Sequence, residues 1–268
     1  MEGLRRFATA GVVLLALLVP SSAGAAAFGP DGGRALRGTA VADTDHCNPT
    51  TPAAYATTPT GNGQTINLDV LVLVDGTVAP AKTEVDNTIA GIGRIYSPLR
   101  LPLVATAKRW IADPATAQRV DAPTLVNAAR ASLGGARPTA FDLVHILTTR
   151  ELTYGGEPVI GYADCIGGVR YADRAFSVST IPVRTSSVGP VNLFVDGTVE
   201  TAAHEIGHLL GARHQHASCA EGAGADDAAN RDPSACTLMI NYPELQSPKF
   251  GLLESLVVRG YTERYATP

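Results

Sequence analysis

Residues 204–214, HEIGHLLGARH, decide the fold and the chemistry of this chain. They have the pattern H-E-x-x-H-x-x-G-x-x-H, in which each fixed position has its own physical role. His204 and His208 are four residues apart, so on a helix they share one face and can present two imidazole nitrogens to one ion. Gly211 allows the helix to stop, because glycine adopts the left-handed backbone conformation without strain. The resulting turn can bring His214 round as a third ligand.

Three protein ligands and one open position are typical of a catalytic zinc ion rather than a structural one. Glu205 lies beside the first ligand and can reach a water on that ion, so it is the predicted general base. His216 is an alternative third ligand, but the turn at Gly211 favours His214. His46, in the N-terminal segment, and His145, in an apolar strand, are predicted to be structural.

The first residues have the pattern of a secretory signal. Arg5 and Arg6 precede an apolar run at 7–19, and small residues follow at 21–27. We therefore expect residues 1–27 to be removed and the chain to be exported; the alternative is a retained membrane anchor. Residues 28–64, rich in Gly, Pro, Thr and Ala, are predicted to form a short pro-segment or an N-terminal arm. The catalytic domain is predicted at 65–268.

The charge balance argues against some partners. The 268 residues have a net charge of −4, from 21 basic and 25 acidic residues. Removing residues 1–27 takes away two arginines and one glutamate, which leaves 19 basic and 24 acidic residues and a net charge of −5. Mild acidity does not favour nucleic acid or an anionic membrane as the main partner. We expect a soluble monomer.

The order of predicted elements is strand, helix, strand, helix, three strands and two helices. This order indicates an α+β fold with a mixed sheet and an active-site helix beneath its edge strand. The predicted strands are 66–74, 99–111, 141–149, 158–165 and 175–181, and the predicted helices are 80–96, 122–133, 199–211 and 248–259.

The chain resembles the metzincin metalloproteases, most closely the reprolysin group to which the snake-venom (adamalysin) and ADAM proteases belong. The zinc motif is the strongest link. Met239, in the sequence Cys236-Thr237-Leu238-Met239, matches the Met-turn of that family. Weaker similarities are the tryptophan ending 99–110, the run 141–148, and Gly161-Tyr162-Ala163 followed by two glycines. The resemblance covers roughly residues 66–259.

The resemblance implies a metzincin-type twisted sheet with a smaller, irregular C-terminal subdomain. It implies a secreted zinc endopeptidase with one catalytic Zn²⁺, in which Glu205 activates a water for attack on a peptide bond. Met239 would form a floor beneath the histidines without binding the metal. A protein or peptide substrate would lie extended along 158–165, beside Gly161, Tyr162 and Ala163. Calcium binding and side-chain preference are not predicted.

Tyr242 departs from the family pattern. Some metzincins use a tyrosine two residues after the methionine as an oxyanion contact, whereas Tyr242 follows Met239 by three. Its interpretation is therefore open between an oxyanion contact and ordinary packing. The chain also has no cysteine near its C-terminus for the long disulfide usual in reprolysins.

Four cysteines in an exported chain predict disulfides. Cys219 and Cys236 bracket the loop after the zinc motif and are predicted to pair, which leaves Cys47 for Cys165. Four cysteines allow three pairings, so this connectivity is an inference. Alternatively, Cys47 is a free thiolate that ligates zinc and blocks the site, as prodomain cysteines do in several metzincins.

Two other functions are compatible with the motif. One is a zinc hydrolase of a non-protein amide, such as a cell-wall peptide, which would use the same chemistry. The other is an inactive extracellular zinc-binding module. Intact Glu205 and three intact histidines argue against the inactive module, so a secreted zinc endopeptidase is the leading prediction.

Overall fold

A computed structural model gives the fold of this chain. It describes residues 63–75, 80–110, 112, 118–181, 184–186, 194–214, 237–239 and 248–266. Its helices are α1 (Lys82–Tyr96), α2 (Ala122–Ser132), α3 (Thr198–Leu209) and α4 (Leu252–Tyr265). Its strands are β1 (Leu68–Asp75), β2 (Leu103–Arg109), β3 (Arg119–Asp121), β4 (Leu143–Thr148), β5 (Glu151–Tyr154), β6 (Glu157–Val159), β7 (Gly161–Ala163), β8 (Phe176–Thr180), β9 (Arg184–Ser186) and β10 (Phe194–Asp196).

The main sheet has five strands in the order β2-β1-β4-β8-β7. β1 runs parallel to β2 and β4, and β4 runs parallel to β8. β7 is antiparallel to β8, with Gly161 opposite Ser179. The short antiparallel strand β7 is therefore an edge of an otherwise parallel sheet.

The central strand β1 carries buried apolar residues on both faces, as expected for a parallel strand covered by helices on both sides. Leu68, Val70 and Val72 of β1 belong to one core cluster, which contains residues of α1, α3 and α4. Leu71 and Leu73 point the other way into a second cluster, which contains residues of α2. Because side chains alternate along a strand, β1 separates the two clusters.

The helix α3 packs against β8 and β7, on the same face as α1. Gly91 of α1 makes the close approach possible, because a Cβ there would lie 2.6 Å from the Val199 side chain of α3. The Tyr96 hydroxyl donates to the Ala203 carbonyl at 2.8 Å and fixes the two helices further. These contacts confirm the predicted α+β class and the helix beneath the edge strand.

Two smaller sheets flank the main one, in the strand orders β3-β5-β6 and β10-β9. Within the described ranges, no helix has both the length and the apolar character needed to cross a membrane.

The single strand predicted at 158–165 is wrong in its extent. β6 pairs with β5 in the small sheet, whereas β7 joins the main sheet. The hairpin before β6 turns at Gly155 and Gly156, whose φ angles are 57° and 87°. The chain then changes sheets at Ile160. The predictions also missed β3, β5, β9 and β10, which are only three or four residues long.

The C-terminal helix starts later and ends later than the predicted 248–259. It begins after Gly251, whose N–H donates to the Glu254 carboxylate at the third helical position. This contact satisfies a backbone donor at the helix start, which explains the late beginning. The other predicted main-sheet strands and helices differ from the observed ones mainly at their ends.

Candidate metal centre and active site

The end of α3 has the geometry that positions a third histidine. Gly211 has a φ of 89°, in the left-handed region that favours glycine. Its N–H donates to the His208 carbonyl, and the Ala212 N–H donates to the Gly207 carbonyl, both at 2.9 Å. These two bonds form a Schellman motif, which ends the helix and reverses the chain. His214 follows three residues after the turn.

The three predicted ligands converge. The Nε2 atom of His204 lies 2.9 Å from that of His214 and 3.0 Å from that of His208. The remaining distance, between His208 Nε2 and His214 Nε2, is 3.2 Å. All three side chains are buried. Among the described residues, they form the one cluster of His, Cys, Asp or Glu suited to a metal ion.

Backbone carbonyls fix the tautomers of two of these rings. His204 Nδ1 donates to the Leu238 carbonyl and His208 Nδ1 donates to the Ala212 carbonyl, both at 2.8 Å. With the proton on Nδ1, each Nε2 presents a lone pair. Burial, helped by the neighbouring His214, lowers the pKa of His204 to about 3. Burial likewise holds the pKa of His208 well below its usual value, so both rings are neutral.

This arrangement fits a zinc ion. Lone pairs on nitrogens about 3 Å apart repel unless a donor or a cation lies between them. Three nitrogens bound to a tetrahedral zinc at 2.0–2.1 Å would lie about 3.3 Å apart, close to the separations found here. Neutral imidazoles whose second nitrogen donates to a carbonyl are typical zinc ligands. His204, His208 and His214 would therefore hold zinc.

Glu205 is buried against the edge strand. Its Oε2 atom has no hydrogen-bond partner among the described residues. A Cβ placed on Gly161 of β7 would lie 2.4 Å from Glu205 Oε1, so the carboxylate occupies the space that a side chain there would need. Burial raises the pKa of Glu205 to about 8. A buried carboxyl group with an unused oxygen and a raised pKa is typical of an active site.

Residues 237–239 form the floor of the centre. Met239 is fully buried, and its sulfur would lie 3.0 Å from a Cβ on Gly207 of α3. The Leu238 N–H donates to the Lys249 carbonyl at 2.7 Å, while the Leu238 carbonyl accepts from His204. Met239 therefore packs against Gly207 of α3, and its role as a Met-turn stays a prediction.

The C-terminal helix covers the turn that delivers His214. A Cβ on Gly211, or on Gly167 in the loop after β7, would lie 2.7 Å from the Tyr261 ring. The Gly167 N–H also donates to the His208 carbonyl at 2.8 Å. The ring of Tyr261 thus sits where two glycines leave room for it.

The other predicted site residues have different outcomes. In β7, Gly161 contacts Glu205, whereas Tyr162 stacks on Tyr154 with ring centroids 5.4 Å apart. Tyr162 packs against the cluster that contains residues of α2, on the opposite face of the sheet from the histidines. Ala163 packs against the core on the histidine side.

His145 is not part of the metal cluster. It is fully buried in β4, and its ring nitrogens hydrogen-bond to Ser177 Oγ at 2.8 Å and Ser179 Oγ at 3.0 Å. Burial lowers its pKa to about 3, so the ring is neutral. These contacts agree with the structural role predicted for it.

Cys165 is the one cysteine within the described ranges; it is buried and is not a free thiol. The predictions for Cys47, Cys219, Cys236, His46, His216 and Tyr242 fall on residues outside the described ranges. The predicted pairings, the alternative third ligand and the oxyanion contact therefore stay predictions.

The hydrogen-bond and packing partners of the site residues are not predictable from the zinc motif. Leu238 and Gly161 lie outside the motif, and Ala212 is one of its variable positions. One signal was available: a glycine in a strand marks a close approach by another group. The backbone partners have no residue-type signal, because any residue supplies a carbonyl.

A family model supports the same interpretation. The chain matches the reprolysin model of metallo-peptidase family M12 over residues 77–247. No curated protein matches it. A solved archaemetzincin from Methanopyrus kandleri is 19% identical, with a TM-score of 0.49 over 74% of this chain and 97% of that one. Metalloproteinase-II from Bacteroides fragilis is 15% identical, with a TM-score of 0.45 over 76% of this chain and 55% of that one.

The family match spans more than half of the chain and includes the whole zinc motif and Met239. The chain therefore belongs to metallopeptidase family M12, and it is a zinc metalloendopeptidase of the metzincin type.

Proposed function

We propose that this protein is a secreted endopeptidase in which Glu205 is the general base. One observation carries the proposal: three buried Nε2 atoms converge beside a buried carboxylate whose Oε2 has no partner among the described residues. This combination supplies three ligands and a proton acceptor.

Each residue has a distinct task in peptide hydrolysis. When bound, zinc supplies a water with a pKa of about 7 and polarises the scissile carbonyl. Glu205 accepts the proton of the attacking water at Oε2 and returns it to the leaving amine.

The edge position of β7 supports its role in substrate binding. β7 lies at the end of the main sheet and touches the proposed base through Gly161. An extended peptide that adds to this edge would bind through backbone hydrogen bonds. Such binding would place a peptide bond near Glu205 whatever the neighbouring side chains are.

A substitution of Glu205 tests the mechanism. Glu205→Gln keeps the size of the side chain but removes the base, so we expect stoichiometric zinc and a loss of turnover of about 10²–10⁴-fold. The measurements are metal analysis and cleavage of casein or a peptide library, with and without a chelator. Glu151→Gln, an exposed substitution in β5, is the matched control and should behave like the wild type.

Three outcomes contradict the proposal. Loss of zinc from Glu205→Gln would mean that the residue holds the metal rather than the proton. Undiminished cleavage by that variant would mean that the base lies elsewhere. Cleavage of cell-wall peptides but of no protein by the wild type would favour the non-protein amide hydrolase.

Export and disulfides belong to the same proposal. The signal pattern at 1–27 supports secretion, and four cysteines with a buried, non-free Cys165 support the pairs Cys47–Cys165 and Cys219–Cys236. Thiol counting on the unreduced full-length secreted chain should find no free thiol. Two free thiols, one of them protected by zinc, would instead indicate that Cys47 is a blocking ligand.

A further inference from the structure

We propose that Thr237 and Glu254 are positioning residues of the metal centre, which join the start of α4 to the His204 ring. The inference rests on the proposed zinc site. It assigns a role to two side chains outside the zinc motif.

The link begins in α4. The Glu254 side chain is 2% exposed, and its two oxygens have different donors. The Gly251 N–H donates to Oε2, and the Thr237 hydroxyl donates to Oε1 at 2.7 Å. The carboxylate is therefore fixed by the start of its own helix and is also hydrogen-bonded to Thr237, in the segment next to the metal centre.

The Thr237 hydroxyl continues the link. A hydroxyl can donate one hydrogen bond and also accept. The Thr237 hydroxyl donates to Glu254 and accepts from the Met239 N–H at 3.3 Å. The turn at 237–239 is held there and also at Leu238, whose N–H donates to the Lys249 carbonyl at 2.7 Å.

The link ends at a proposed zinc ligand. Leu238 lies between Thr237 and Met239, which the Thr237 hydroxyl joins, and its carbonyl accepts from His204 Nδ1 at 2.8 Å. That bond keeps the proton on Nδ1 and the lone pair on Nε2. The partner of a ligating histidine sets the orientation and basicity of the ring, and its loss typically weakens metal binding about 10–100-fold. A shift of the Leu238 carbonyl acts on the metal in this way.

Thr237→Val separates this role from packing, because valine keeps the shape and removes the hydroxyl. We expect the full-length variant to bind zinc about 10–100-fold more weakly than the wild type in chelator competition. We also expect an altered visible spectrum when Co²⁺ replaces zinc. Thr237→Ser restores the hydroxyl and should restore the wild-type affinity and spectrum.

Thr262→Val is the matched control. Thr262 is fully buried in α4, the helix that contains Glu254, and its hydroxyl donates to the Val258 carbonyl at 2.8 Å. The same chemical change is made there, away from residues 237–239. Zinc affinity and the Co²⁺ spectrum of this variant should match those of the wild type.

Two results would overturn the inference: a Thr237→Val variant with wild-type zinc affinity and Co²⁺ spectrum, or a Thr262→Val variant weakened as much as Thr237→Val. If Thr237→Val does not fold by circular dichroism, Glu254→Gln decides. Glutamine offers one oxygen to two donors, so weaker zinc binding supports the link, and unchanged binding overturns it.

The test distinguishes this inference from the proposed function. A wild-type protein without stoichiometric zinc would end both. Normal zinc binding by Thr237→Val, with Glu205-dependent cleavage intact, would remove only the role of Thr237 and Glu254.

Discussion

His145 and the histidines of the metal centre are buried on the same side of the main sheet. They differ in the hydrogen-bond partners of their ring nitrogens. His145 in β4 has a serine hydroxyl on each ring nitrogen, at 2.8 and 3.0 Å. His204 and His208 in α3 have a backbone carbonyl on Nδ1, while their Nε2 atoms face each other and His214. Burial lowers the pKa of both groups, so pKa alone does not separate them.

The difference shows what distinguishes histidines that bind a metal from a histidine with a structural role. Serine hydroxyls can donate or accept, so they complete the hydrogen bonds of His145 whichever nitrogen carries the proton. The Nε2 atoms of His204 and His208 both present lone pairs and lie 3.0 Å apart, which is an arrangement that a shared cation would stabilise. A buried polar group that the protein satisfies is structural, and one that the protein leaves for a ligand is functional.

The largest effect is expected from the substitution of a proposed zinc ligand. His208→Ala removes one of three ligands, so we expect loss of stoichiometric zinc and of measurable cleavage. His145→Ala should keep zinc and active-site chemistry, but should lower the free energy of unfolding by about 1–3 kcal/mol, because two buried serine hydroxyls lose their partner. Metal analysis, peptide cleavage and urea unfolding measure these effects. Loss of zinc from His145→Ala would contradict the distinction between a structural His145 and the metal-binding histidines.

A smaller effect is expected at the edge strand. Gly161→Ala places a methyl group where the Glu205 carboxylate lies, so the base must move. A displacement of about 1 Å can cost about 10²-fold in turnover. We expect kcat to fall with zinc retained.

Gly93→Ala in α1 is the control for Gly161→Ala, because a Cβ there meets only Leu103 at an ordinary 3.8 Å. It should leave kcat and zinc content unchanged. Equal loss of kcat in both variants would show that Gly161 acts through general packing rather than through Glu205.

The smallest effect concerns pH. The pKa of His145 is about 3 in the folded chain, below its usual 6.5, so its contribution to stability is complete above pH 6.5 and is lost as the pH falls toward 3. At pH 5 the loss is about 2 kcal/mol. Urea unfolding measures the free energy of unfolding at pH 7 and at pH 5. The decrease between these two pH values should be about 2 kcal/mol smaller in His145→Gln than in the wild type. An unchanged difference would mean that His145 is charged in the folded protein.

The part of the site that the sequence predicts is the part encoded by local spacing. The four-residue interval in α3 and the glycine after it predict where His204, His208 and His214 meet, because helix geometry converts sequence distance into space. The contact between Gly161 and Glu205, and the bond from His204 to Leu238, depend on packing between distant segments. No local pattern encodes those distances.

The fold shows the same limit. The apolar runs predict β1 and most of β4, because buried parallel strands carry apolar residues on both faces, and the alternation of apolar and polar residues predicts β8. The run 158–165 gives no sign of the break at Ile160, since both halves suit a strand and only their partners differ. Register and partner choice come from the assembled sheet.

The position of Tyr261 in the C-terminal helix means that it is synthesised after the three histidines. Synthesis proceeds from the N-terminus, so all three imidazoles emerge from the ribosome before this aromatic ring does. Until it emerges, the reversal at Gly211 lacks its cover. A nascent chain thus holds every ligand before it holds the ring that packs on the turn between the second and third of them.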